Sequence, residues 1–257
     1  MLKIYLMGTT IPTTSIVLKS LFRADLKTQW RNRRAVVLSL IVPVVILYTW
    51  KPLVTNHMIS GASALASCIT IGLMAIGLMG YSNSVARDRD KGIFLRLRVA
   101  PLPAWTIMIS RLFVQLLMIL LVTVFVLIAG YSLDNITIPA EGYVLAFFAA
   151  IIGAAVYLAI GQVIVGLIKN PEIINATTRL VYFVFIMTGM LGQFGTFADI
   201  VNKCIKWSPY GTVQNLLSAS MDPSKWTSST TQALLVTIGY AVVLATIGIK
   251  KFKWSNK

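Results

Sequence analysis

Acidic side chains are scarce in this chain: eight aspartates and glutamates stand against 23 lysines and arginines, with one histidine and two cysteines among 257 residues. The acids, Asp25, Asp88, Asp90, Asp134, Glu141, Glu172, Asp199 and Asp222, fall at the edges of apolar runs or between them. Proton pumps and ion-coupled transporters rely on buried carboxylates or histidines, and His57 lies in a short polar connection, so an ion-driven mechanism is disfavoured. Cys68 and Cys204 have no metal-ligand spacing and read as small apolar side chains. No G-x-x-x-x-G-K-[ST] run is present, so the chain has no phosphate loop for ATP. Neither a Ser/His/Asp set nor a metal-ligating cluster points to catalysis. If this protein does active work, its energy comes from a partner.

Apolar residues are abundant instead. The chain is 57% hydrophobic and 12% charged, with mean hydropathy +0.79, whereas soluble domains carry charge on about a quarter of their residues. Apolar runs near 35–54, 59–84, 104–130, 142–168, 180–197 and 231–249 each suit a helix that crosses hydrocarbon, which takes about 20 residues. The expected fold is an all-α integral membrane protein with six transmembrane helices. No soluble domain has room to exist, and a single transmembrane domain fills residues 1–257.

The net charge of +15 is distributed by topology. Lys3, Lys19, Arg23, Lys27, Arg31, Arg33 and Arg34 precede the first run, Arg87, Arg89, Lys91, Arg96 and Arg98 follow the second, Lys169 and Arg179 follow the fourth, and Lys250, Lys251, Lys253 and Lys257 follow the sixth. Alternating spans put all of these on one side. Lys51, Lys203, Lys206 and Lys225 are left for the other. The positive-inside rule then places both termini in the cytoplasm of a multi-pass cell-membrane protein. Basicity of this kind serves topology, and nucleic acid is not an expected partner.

Three segments are not simple spans. Residues 15–34 repeat Leu18, Phe22, Leu26 and Trp30 beside Lys19, Arg23, Lys27 and Arg31, the pattern of an amphipathic helix lying in the membrane interface. Between the last two runs, Phe197, Ile200, Val201, Cys204 and Ile205 form one apolar face, Ser208-Pro209-Tyr210 breaks it, and Val213, Leu216 and Leu217 begin a second helix. That pattern predicts an outer re-entrant hairpin over 197–217, whose backbone groups pair internally, followed by a solvated loop from Ser218 to Thr231. The third segment, 87–101, carries Arg87-Asp88-Arg89-Asp90-Lys91-Gly92, then Leu95-Arg96-Leu97-Arg98 and Ala100-Pro101-Leu102-Pro103. Its charges cannot lie in hydrocarbon, and its pattern predicts a short cytoplasmic helix presented to something soluble.

This third segment resembles the one that follows the second span in ABC-2 type permeases, the membrane subunits of ABC exporters, with Asp90 where glutamate is commoner. The likeness extends to the N-terminal helix, the six spans and the Pro-centred break at Pro209 and Tyr210. The resemblance implies a coupling helix that contacts a separate nucleotide-binding ATPase subunit through Arg89, Asp90, Lys91, Gly92, Leu95, Arg96 and Arg98, with Glu172 in a second, smaller contact. It implies ATP and Mg bound on that partner and no cofactor on this chain, together with pairing to a second permease, a copy or a homologue. The expected function is export of an amphipathic or lipophilic compound such as an antibiotic, drug or antimicrobial peptide, because no charge is placed within the membrane to meet an ionic cargo. Met74, Met79, Tyr182, Phe185, Met187 and Met190 are candidates for the transport path, methionine being adaptable. Alternatives are a polysaccharide or glycolipid exporter, which would use polar residues such as Gln115, Gln162 and Gln193, and a non-transporting sensor or scaffold.

Overall fold

The computed structural model describes residues 14–31, 33–93, 104–192 and 198–251. Among them there are helices and short connections and no strand. Helix α1 (Thr14–Arg31) leads to α2 (Arg33–Thr55), which contains Pro43 and Pro52. Helix α3 (Gly61–Met74) passes through a π-helical turn, Ala75–Gly80, into α4 (Tyr81–Asp90) without a break. Then follow α5 (Ala104–Asp134), α6 (Ala140–Leu167), α7 (Pro171–Gly192), the short pair α8 (Asp199–Trp207) and α9 (Pro209–Met221), and α10 (Ser228–Lys251).

Five helical stretches are long and apolar enough to cross a membrane: Gly61–Asp90, Met108–Asp134, Ala140–Leu167, Pro171–Gly192 and Ser228–Lys251. The first apolar run of the sequence lies in α2, where the apolar helical stretch is the shorter Ser39–Thr55. The Gly61–Asp90 helix is the centre of the bundle. Every residue from Ala64 to Met74 is buried, including Ser67 and Thr70, whose hydroxyls donate to the carbonyls of Ser63 and Ala66 one turn back. A polar side chain satisfied within its own helix can sit in an apolar core at little cost.

The fifth helix corrects the span expected at 180–197. It begins at Pro171, because Asn170 caps it: the Glu172 amide donates to Asn170 Oδ1 at 2.8 Å, and Pro171 occupies the first helical position, where a missing N–H costs nothing. The hydropathy of the run hides this start, since the first two turns are polar. Residues 193–197 lie outside the described residues.

The segment expected to form the hairpin folds as the two short helices α8 and α9, and α9 packs into the bundle. At one end of α9, an added methyl at Gly142 of α6 would come within 2.5 Å of the Met221 carbonyl. At its other end, Tyr157 of α6 donates from its hydroxyl to the Pro209 carbonyl at 3.2 Å. The fifteen residues between those α6 positions correspond to about 22 Å of helix. Tyr240, midway along α10, donates to the Trp207 carbonyl at 2.9 Å, and Ser208 donates from Oγ to the Ile205 carbonyl while accepting from the Gly211 amide. The helix break at Ser208–Pro209 thus has its backbone groups hydrogen-bonded within the bundle, as nonhelical backbone in a membrane protein requires. Helix α9 runs through Met221, with Ala219, Ser220 and Met221 buried, which corrects the expected solvated loop from Ser218. Ser218 meets Ser63 at the head of α3, Oγ to Oγ 3.1 Å, so its polarity serves a helix contact.

Two ends of the bundle differ in charge. At the end formed by Lys51, Ser60, Asp134 and Gly142, Lys51 donates to the Leu133 carbonyl at 2.6 Å and pairs with Asp134 at 3.5 Å. The opposite, basic end brings together α1, the last turn of α4, the start of α5, the α6–α7 turn and the last turn of α10.

Candidate functional site

The basic end is held by arginines. Arg89 is 4% exposed, and its guanidinium donates to the carbonyls of Val165, at 2.6 Å, and Ile168, at 3.0 Å. These belong to the C-terminal end of α6, where unpaired carbonyls and the helix dipole attract a cation. Arg89 therefore faces inward, while Asp90 and Lys91 beside it are exposed and Gly92 takes a left-handed φ of 65° that ends α4. Glu172 is exposed at the head of α7, and α4 packs against α7. Of the residues attributed to a coupling helix, Asp90, Lys91 and Glu172 lie on the surface of the basic end, and Leu95, Arg96 and Arg98 lie outside the described residues.

Arg111 was not anticipated. It stands inside the apolar run 104–130, which corrects the expectation that the spans hold no charge. Its guanidinium pairs with Asp88 of α4, and the neighbouring Ser110 hydroxyl donates to Asp25 of α1 at 2.8 Å. Burial pushes the Asp25 carboxyl above its ordinary range, partly opposed by the nearby Arg111 charge and the Ser110 hydrogen bond. The inner face of α1 consequently includes Asp25 and Gln29 besides Leu18, Leu21, Phe22 and Leu26. Phe22 meets Phe113 edge to face at 6.0 Å, whereas Trp30 is 53% exposed. Helix α1 thus docks on α5 as well as suiting an interface. An arginine in a hydropathic run and an aspartate on a basic amphipathic helix were the available signals.

Above this layer lies a cavity of about 600 Å³ between α1, α2, the π turn, α4 and α7. Val42, Pro43, Ala75 and Met79 form its apolar wall, and Asn83, Arg87, Asn175 and Arg179 its polar wall, with Tyr182 above and Glu172 at the rim. Asn83 and Arg87 are one turn apart on α4, and Asn175, Arg179 and Tyr182 follow the same spacing on α7; that periodicity is legible in the sequence, but it is overlain by the stronger hydropathy of the runs around it. The Asn175 side-chain oxygen is buried without a hydrogen-bond partner. Of the six path candidates, Met79 and Tyr182 line this cavity. Met74 is fully buried in the core, Phe185 and Met190 pack against the core, and Met187 is 36% exposed. The π turn supplies Ala75, Met79 and Gly80 to the wall, in keeping with the frequent placement of π segments at functional sites.

A profile of the ABC-2 type transporter family matches residues 16–221, from α1 through the end of α9. The chain belongs to the ABC-2 type transporter family. A Bacillus subtilis (strain 168) protein, YvfS, described as a candidate transport permease, is 22% identical over 191 residues, covering 72% of this chain and 78% of that protein. The matched region of this ABC-2 family permease contains all the features above: the α1 helix, the arginine layer, the two-walled cavity and the α8–α9 pair. ABC-2 permeases normally work with an ATPase subunit, which supports a partner of that kind for this membrane-embedded chain.

Proposed function

We propose that this permease is the membrane subunit of an ATP-driven exporter of amphipathic compounds, with α2 as its sixth span and its basic end in the cytoplasm. The observation that carries the reading is the cavity with one apolar and one polar wall, placed directly above the surface that bears Asp90, Lys91 and Glu172. An amphipathic cargo would lay its apolar part on Val42, Pro43 and Met79 and its polar part against Asn83, Asn175 and the arginines. Arg87 and Arg179 outnumber Glu172 there, which favours a neutral or anionic polar group over a cationic one. The positive-inside rule supports the orientation. ATP and Mg would bind on the ATPase partner, and pairing of two permeases would complete the path.

The ATPase is also where the energy coupling is tested. Candidate ATPase subunits from the same genomic neighbourhood are co-expressed with wild type and with an Asp90→Lys/Arg96→Glu double variant. Co-purification lost in the double variant supports docking at the end of α4; no associating ATPase with a folded permease removes the energy source and sinks the reading. In proteoliposomes of the complex, anionic and neutral amphiphiles should raise ATP hydrolysis, and Arg179→Gln should weaken the anionic response. Stimulation by a glycolipid alone would favour the polysaccharide class, and binding without transport would favour a sensor.

A further inference from the structure

Beside the face of α6 that meets α4 lies a second cavity, about 520 Å³, between α5, α6 and α10. Its floor is made of small residues, Ala155 and Ala159 of α6 and Ala241 and Ala245 of α10, and its rim includes the exposed Phe113 and Ile249. Helix α6 packs along α10 and also touches α5, so the cleft is a groove over α6, open to the surrounding membrane. Among the described residues that line it, Gln162 is the one polar side chain.

Gln162 is 5% exposed. Its Oε1 accepts the Tyr81 hydroxyl, which fixes the amide, and its Nε2 is buried without a hydrogen-bond partner. A donor left unpaired in an apolar site is costly and calls for an acceptor. Depth narrows the choice of acceptor. Helix α6 has 28 residues, about 42 Å against about 30 Å of hydrocarbon, so about 6 Å at each end lies in the interface. Gln162, five residues before Leu167, is about 8 Å from the basic end of α6. It stands at the boundary where the ester carbonyls of a phospholipid meet its acyl chains.

We propose that this cleft is a specific site for a phospholipid of the basic-end leaflet, with one acyl chain over the alanine floor and one ester carbonyl accepting a hydrogen bond from Gln162 Nε2. The inference requires only that the chain is embedded in a membrane, and it stands apart from the transport reading. The alanines leave room for a chain that a larger residue would fill, and the apolar lining rejects a free anion or a headgroup.

Native mass spectrometry of the delipidated full chain in detergent, titrated with the diester and the diether forms of phosphatidylglycerol of equal chain length, tests this. The diether lacks the carbonyl and nothing else. Wild type should bind the first diester molecule about fivefold or more tighter than the diether, the ratio given by one neutral hydrogen bond of about 1 kcal/mol. Gln162→Leu should bring the two to equality, and Ala245→Phe should remove the first binding event for both. Equal affinities in wild type, which needs no variant to fold, would overturn the proposal, as would unchanged binding to a folded Ala245→Phe protein.

Discussion

Arg89 Nη2 lies 2.6 Å from the carbonyl oxygen of Val165, fastening the end of α4 to the end of α6. The last turn of α4, which bears Asp90, is thereby anchored to the end of α6 that leads into the turn before Glu172.

Replacing Arg89 with alanine would leave the buried Val165 carbonyl and the part-buried Ile168 carbonyl without their charged donor. We expect a loss of about 2 kcal/mol or more, seen as a lower thermal midpoint in detergent. Arg89→Lys should recover only part of it, since an ammonium cannot span both carbonyls as the guanidinium fork does. An unchanged midpoint in Arg89→Ala would show that the clamp contributes nothing.

The pair Asp88–Arg111 is partly buried, with the two side chains 22% and 11% exposed. The Asp88→Asn/Arg111→Leu double variant should destabilise the permease by less than the sum of the two single changes, because Arg111→Leu alone strands a carboxylate. A double-mutant cycle should give a coupling of about 1–3 kcal/mol. Additivity within about 0.5 kcal/mol would mean the pair is screened.

Asp25 carries a pH dependence of definite sign. Burial raises its folded carboxyl above the ordinary value, so the native state holds the proton more tightly than the unfolded chain does. Its contribution is therefore most favourable below the ordinary carboxylate range and is lost as pH rises through the raised value. Corrected for intrinsic exchange, amide protection in α1 should fall over that interval. Asp25→Asn should flatten the profile and keep α1 docked at neutral pH; a profile unchanged in the variant would assign the effect elsewhere.

Close approach at the break between α8 and α9 yields a paired test on glycine. A methyl on Gly211 would stand 2.1 Å from the Ile205 carbonyl and 2.6 Å from that of Lys206, backbone atoms that cannot yield, whereas at Gly239 of α10 nothing lies within 4 Å. Gly211→Ala should abolish the folded monodisperse protein, and Gly239→Ala should be neutral or slightly stabilising through its better helix propensity. Tyr240→Phe should cost about 1 kcal/mol by removing the donor to the Trp207 carbonyl at the C-terminus of α8, and Tyr157→Phe should cost less, because the Pro209 carbonyl keeps its helical partner in α9. Fluorescence-detected size exclusion and thermal unfolding read all four.

How far these features could be read in advance depended on their range along the chain. The apolar runs marked four of the five membrane-length helices closely, because about 20 consecutive apolar residues have few stable alternatives to a spanning helix. The fifth began nine residues early because Asn170 and Pro171 are a capping signal that hydropathy averages away. The Ser208–Pro209 break was visible as a local pattern, but its depth was not; Tyr157 and Tyr240, which satisfy its carbonyls, are 52 and 33 positions from their partners.

The sequence alone determined that this chain is a helical membrane protein, which end of its helices is basic, and that it resembles ABC-2 permeases, since hydropathy and charge act over single segments. Tertiary structure decided what the polar residues do. It turned Arg89 inward onto α6, paired Arg111 with Asp88, drew Asn83 and Arg87 together with Asn175 and Arg179 around one cavity, and left Gln162 without a partner for its amide nitrogen. In a membrane a polar group must find its partner within reach, and helices far apart in sequence supply it.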